Sequence, residues 1–240
     1  MTKVISKEET IYKWEELSDE AKQELVDNYI DNFFDSGSGN NKSIAEEDLT
    51  DIGEKLLKES IFKHATVNDV YYDFSYSQGS GAVLGFDYEG DNFALDFPEI
   101  KEDIIEEFAS NRKWRESYNL EEDEVQEILN VLKTKELNDL FDINFIVEHT
   151  SRYANFKTNY EIYCYANQNI RYCLEELVED WIYQNLIKDG KAVDELQSDF
   201  SSKAYDWYND MRNIENYNDG TFDAYYYSNG TFAGYEEDFE

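Results

Sequence analysis

Reactive side chains are scarce in this 240-residue chain, which carries two histidines and two cysteines. His149 has the neighbours best suited to acid–base work: Glu148 precedes it and Arg152 follows, and both can orient an imidazole. General base catalysis also needs a nucleophile or a second partner at a recognisable spacing, and none accompanies His149. The expectation is therefore a structural hydrogen bond. His64 falls at the end of a helical stretch, where an imidazole suits the negative pole of the helix, and it reads as a surface cap. Cys164 and Cys173 read as buried packing thiols, with a disulfide between them the lesser alternative.

Other chemistries fail on spacing. Ser77-Gln78-Gly79-Ser80-Gly81 is glycine-rich, but it lacks the Lys-Ser/Thr of a phosphate loop and a strand follows it, so it reads as a hairpin loop. Asp35-Ser36-Gly37-Ser38-Gly39 lacks the alternating oxygen ligands and terminal Glu of a calcium loop. No His-x-x-x-His or Cys-x-x-Cys is present for zinc. No metal site, no cofactor and no catalytic activity are expected.

Carboxylates are the abundant functional group: 55 Asp and Glu oppose 21 Lys and Arg, for a net charge of −34. Like charges at i,i+4 destabilise a helix by about 0.2–0.5 kcal/mol per pair, so this excess opposes folding. Three helical stretches carry much of it on their outer faces. The first has Glu99, Glu102, Asp103, Glu106 and Glu107; the second has Glu121, Glu122, Asp123, Glu124 and Glu127; the third has Glu175, Glu176, Glu179 and Asp180. Carboxylates at i,i+3 and i,i+4 stand about 5–6 Å apart at Cβ, a spacing similar to that of successive nucleic-acid phosphates. Such an array can present a DNA-like surface to a basic groove. Glu99, Glu102, Asp103, Glu106, Glu107, Glu121, Glu124, Glu175, Glu176, Glu179 and Asp180 are therefore the candidate partner-binding residues. Nucleic acid itself is a poor partner, because Lys113, Arg115 and Arg212 are scattered among acids and phosphates need neutralising cations. The plainer reading is a solvated face that keeps the protein soluble.

The elements that must hold these residues are legible from periodicity. Aromatic residues make up 16% of the chain, and 41% is hydrophobic, so the acidity does not signal disorder. A strand near Thr10–Trp14 precedes a helix over 19–34 with Ala21, Leu25, Tyr29 and Phe33 on one face. Ser43 and Glu46 match a capping box opening a second helix to about Lys63. Runs at 70–76 and 82–88 read as an antiparallel pair. Pro98 starts a third helix with Ile100, Ile104 and Phe108, and Asn119 with Glu122 caps a fourth carrying Val125, Ile128 and Leu132. Strands are predicted over 143–149 and 160–166. Ile170 to Ile182 forms a fifth helix, broken by Gly190, and Val193 to Met211 a sixth. A hairpin around Asn229-Gly230 closes the chain. The predicted fold is α+β: antiparallel hairpins packed with about six amphipathic helices in a single compact unit over 1–240, with a possible subdivision into 1–168 and 169–240.

Leu17-Ser18-Asp19-Glu20-Ala21-Lys22 and Phe74-Ser75-Tyr76-Ser77-Gln78-Gly79-Ser80-Gly81 carry a further likeness. They resemble a helix start and a Phe-Ser-x-Ser-Gln-Gly-x-Gly strand-turn in a family of small acidic bacteriophage proteins. His149 with Arg152-Tyr153 and the aromatic, acidic ending are similar too. The resemblance implies phage origin and expression in the cytoplasm of an infected bacterium. It carries no catalytic residues, because members are generally without an assigned activity and are sometimes labelled antitoxin-like.

The N-terminal residues lack a signal-peptide pattern and no apolar run is long enough to span a bilayer, so a cytoplasmic protein without membrane contact is expected. The expected function is that of a phage-encoded, non-enzymatic inhibitor. Its acidic, DNA-mimicking surface would bind a basic host defence protein such as a CRISPR effector, a restriction enzyme or another nuclease. The alternative is an antitoxin-like or assembly protein with an aromatic interface, for example Tyr225 to Tyr227. An enzyme would require a pocket joining His149, Arg152 and Cys164.

Overall fold

The computed structural model describes residues 10–35, 39–74, 80–111, 116–150, 153–188, 191–218 and 220–235. In chain order the elements are β1 (Ile11–Tyr12), α1 (Asp19–Asp35), α2 (Gly39–Glu59), β2 (Thr66–Asp73), β3 (Gly81–Asp87), α3 (Asn92–Asp96), α4 (Ile100–Ser110) and α5 (Glu122–Thr134). They continue with α6 (Leu137–Leu140), β4 (Phe141–His149), β5 (Phe156–Cys164), α7 (Gln168–Ile182), α8 (Ala192–Met211), β6 (Tyr225–Tyr227) and β7 (Phe232–Gly234). A π-helical turn, Tyr183–Ile187, prolongs α7. The fold is α+β, and the expected amphipathic helices correspond to α1, α2, α4, α5, α7 and α8.

The described residues fall into two compact units, one drawn from Met1–Glu46 and Tyr205–Glu240, the other from Glu47–Ala204. In the first unit β1, β6 and β7 form a small antiparallel sheet in that order, with Ile11 opposite Tyr227 and Tyr12 opposite Tyr226. Trp14 stacks on Phe222 at 4.9 Å, and α1 buries Ala21, Leu25, Val26 and Ile30. The hairpin turn at Asn229-Gly230 is present. Gly230 has φ +78°, and a Cβ there would lie 2.5 Å from the Ala21 carbonyl oxygen, so glycine is needed both for the turn and for its approach to α1. Arg212 donates to Asp27 at 3.0 Å and also bonds Asp31, tying the residue after α8 to α1.

In the second unit the antiparallel order is β2-β3-β4-β5. β4 alternates strictly: Phe141, Ile143, Phe145 and Val147 are buried while Asp142 and Asn144 are exposed. β3 is buried from Gly81 to Phe86, as its nearly continuous apolar run requires. Phe62, Phe86, Phe93, Phe97 and Phe145 converge with Tyr88 in one aromatic core.

Boundaries shift where side chains intervene. α2 starts at Gly39, so Ser43 and Glu46 lie inside it and form no capping box at its start. It ends at Glu59, because the Ser60 hydroxyl donates to the Leu57 carbonyl and accepts from the Phe62 N–H. β5 runs over Phe156–Cys164 and not 160–166, since its ladder with β4 begins at the His149–Phe156 pair and ends at Phe141–Cys164. The short helices α3 and α6 have no period to announce them. The Ser77-Gln78-Gly79 turn and Gly190 lie outside the described residues.

Candidate functional site

The three acidic runs sit on α4, α5 and α7, and α4 packs against both of the others. The reason is the apolar stripe on each helix. Ile100, Ile104 and Phe108 of α4, Val125, Ile128 and Leu132 of α5, and Leu174, Leu177, Val178, Trp181 and Ile182 of α7 are all buried. Burying these residues turns the carboxylates outward. Glu99, Glu102, Asp103, Glu106, Glu107, Glu121, Glu176, Glu179 and Asp180 are exposed, and Glu124 is half-buried.

These carboxylates do different work. Glu124 reaches back to accept the Glu121 N–H at 2.9 Å, so the start of α5 is closed by Glu121 and Glu124, not by Asn119 and Glu122 as expected. Asn119 instead takes a left-handed conformation, with φ +51°. Glu102 and Asp103 on α4, like Glu122 and Asp123 on α5, occupy first turns, where negative charge favours the helix. Glu175 is turned inward. Its side chain is 13% exposed, accepting from Arg171 Nε at 2.7 Å and from the Cys164 N–H at 2.9 Å, which terminates β5. Glu176, Glu179 and Asp180 have no such duty, and they crowd one another on α7. Burial first, then the charges of Glu176, Glu175 and Asp180, push the Glu179 carboxyl above its ordinary range.

Between α4 and α7 lies a groove of about 460 Å³ lined in part by Asp103, Ile104, Glu107, Leu177, Asp180 and Trp181. Two of the predicted faces therefore meet there. Asp103 accepts the Trp181 indole N–H at 2.8 Å, and Glu107 accepts from Asn111 Nδ2 at 2.7 Å. Gln184 and Asn185, on the π-helical turn, complete one end of the lining. The helical period assigns Trp181 to the core stripe and does not mark Asn111, Gln184 or Asn185. The i,i+4 relation of Asp180 to Gln184 and of Trp181 to Asn185 is the signal that links them.

Other expected sites dissolve or change. His149 and Cys164 sit at opposite ends of the β4–β5 ladder, while Arg152 lies outside the described residues. His149 stacks on Tyr71 at 3.8 Å and its Nε2 bonds the Tyr153 carbonyl oxygen at 2.8 Å. Burial lowers its pKa, and Asp69 partly opposes the shift. His64 is not a helix cap: its N–H and Nδ1 both bond Asp96, whose carboxylate is fully buried. Tyr226 is buried, with Tyr225 and Tyr227 half-buried, so they form no exposed aromatic surface. Exposed aromatic side chains lie instead at Tyr163, Tyr165 and Tyr172, and at Phe232 and Tyr235 beside that hairpin. Among the described residues no group of three or more His, Cys, Asp or Glu is placed to hold a metal ion, and no helix is long and apolar enough to cross a membrane.

Fold and face together define an α+β protein with an acidic helical surface. No family model, curated protein or solved structure matches the chain.

Proposed function

We propose that this protein acts without catalysis, by binding a basic nucleic-acid-handling protein and filling that partner's groove with carboxylates. The supporting observation is that α4 packs against both α5 and α7, so acidic runs far apart in sequence belong to neighbouring helices. Glu176, Glu179 and Asp180 add weight, because they crowd like charges with no capping role to compensate. Attraction to a positive groove would supply the compensation, with fast association that weakens as salt rises. The resemblance to small acidic bacteriophage proteins directs the reading to a defence enzyme of an infected bacterium, such as a CRISPR effector, a restriction enzyme or another nuclease.

The test is affinity capture from bacterial lysate at low and high salt with two variants of equal charge. One reverses Glu102, Glu106, Glu176 and Asp180 to Lys; the other reverses Glu20, Glu24, Glu47 and Asp51 on α1 and α2. Salt-sensitive recovery of a nucleic-acid enzyme, lost only in the first variant, is expected. Equal recovery with both variants would sink the reading.

One observation favours an antitoxin-like or assembly role instead. Tyr163 and Tyr165 meet edge-on at 5.1 Å and, with Tyr172, are 48%, 58% and 62% exposed. Under that reading, Tyr165→Ser with Tyr172→Ser abolishes capture and charge reversal leaves it intact.

A further inference from the structure

The groove between α4 and α7 is built unlike the open carboxylate faces around it. At about 460 Å³ it falls in the size range of small-ligand sites, about 300–1,000 Å³. Ile104 and Leu177, 1% and 2% exposed, form its apolar floor, the rim of the Trp181 indole, 9% exposed, borders it, and Asp103, Glu107 and Asp180 supply charge.

The anchoring of those charges is the informative part. Asp103 is held by the Trp181 indole N–H and Glu107 by the Asn111 amide, both neutral donors. Each donor fixes a carboxylate in place without cancelling its charge. Lys188 and Lys191 are both bonded to Gln184, through its Oε1 at 3.1 Å and its carbonyl oxygen at 2.7 Å, and to none of these three carboxylates. No ion pair among the described residues involves Asp103, Glu107 or Asp180. The π-helical turn that begins two residues after Trp181 brings Gln184 and Asn185 to the lining, and such turns recur at functional sites.

A hydrated metal ion is a poor match for an apolar floor and an indole rim, since hard cations take six or more oxygens. A lysine ammonium would bring charge but no plane. A guanidinium is planar, weakly hydrated, able to stack on an aromatic ring and to bond carboxylates in pairs. We propose that this groove receives an arginine side chain of the partner, its stem along Ile104 and Leu177 and its head against Trp181 and the carboxylates. The inference rests on the reading of the acidic face as a protein-binding surface, and it names the side chain that the face selects.

The experiment uses the ¹⁵N-labelled full chain with an oligoarginine and an oligolysine peptide of equal length. The Trp181 indole resonance, assigned with Trp181→Phe, reports the groove. Oligoarginine should shift that resonance and bind about fivefold more tightly than oligolysine, the scale of one partly exposed cation–π contact. Asp103→Asn, which keeps an acceptor for the indole, should remove most of this preference, and so should Asp180→Asn. Glu24→Gln, an exposed carboxylate on α1 outside the three acidic runs, should change oligoarginine affinity by less than about twofold, as befits a surface charge. Equal affinity for the two peptides, or an unmoved indole resonance, overturns the groove while leaving the acidic face as a general cation-binding surface. Failure of both peptides to bind at low salt overturns the groove and the acidic-face reading together.

Discussion

Gln197 and Leu84, 113 residues apart, share two hydrogen bonds: the Leu84 N–H donates to Gln197 Oε1 at 3.0 Å, and Gln197 Nε2 donates to the Leu84 carbonyl at 2.7 Å. Leu84 pairs with Val70 of β2 on one side, but β3 pairs with β4 only at Phe86 and Asp87, so the β4-facing edge of β3 has no strand beside Leu84. The side-chain amide from α8 supplies what a strand would. This explains a polar residue, 5% exposed, on the buried stripe of α8.

Replacing that amide should be costly. Gln197→Leu leaves a buried N–H and a buried carbonyl unpaired, and at about 1–3 kcal/mol for each group the loss should be about 2–6 kcal/mol. Urea unfolding measures it. A loss below about 0.5 kcal/mol would mean that water takes the place of the amide.

Asp96 is a second such junction, accepting from the His64 N–H at 2.9 Å, His64 Nδ1 at 2.5 Å and the Tyr88 hydroxyl at 2.9 Å. Tyr88→Phe should cost about 1–2 kcal/mol and Asp96→Asn about 2–3 kcal/mol, with the double variant losing less than the sum. Burial, and then Asp96, raise the Tyr88 pKa far above its ordinary value. The folded state thus holds the phenol proton more tightly than the unfolded state. Its contribution is present below about pH 10 and lost as pH rises above that value. Tyr88→Phe should flatten the alkaline limb of the stability profile, and an unchanged limb would refute the linkage.

Glu179 gives the acidic counterpart. Its raised pKa means that the folded state favours the protonated form, so its contribution falls as pH climbs through the carboxylate range. Glu179→Gln should therefore raise the melting temperature at neutral pH, with the gain shrinking as the pH is lowered toward the carboxylate range. A gain independent of pH would point to helix propensity instead of charge.

Both thiols are buried. Burial raises the Cys164 pKa and pushes Cys173 up to about 11, so neither forms thiolate near neutrality. A thiol reagent should label neither cysteine in the native protein and both in urea. Fast native labelling of Cys164 would show that the end of β5 opens readily.

Much of the fold is legible in the residues. The period-3.6 stripe of α7, the alternation of β4 and the Asn229-Gly230 turn each encode an element locally, because a helix or hairpin is decided by neighbours a few positions away. Boundaries were less legible where one hydroxyl or carboxylate decided them, as Ser60 ends α2 and Glu124 closes the start of α5.

The candidate face divides in the same way. Periodicity alone puts Glu102, Asp103, Glu106, Glu107, Glu176 and Asp180 opposite buried stripes, and composition alone makes the chain a polyanion. Glu175 belongs to the same acidic run, yet a backbone N–H at the end of β5 draws it inward. The indole that holds Asp103 comes from another helix, 78 residues away in sequence. Sequence determines which side chains leave a helix outward, since that depends on spacing within the helix. Which outward side chains meet depends on how α4 lies against α5 and α7, and only the packing of their apolar stripes decides it.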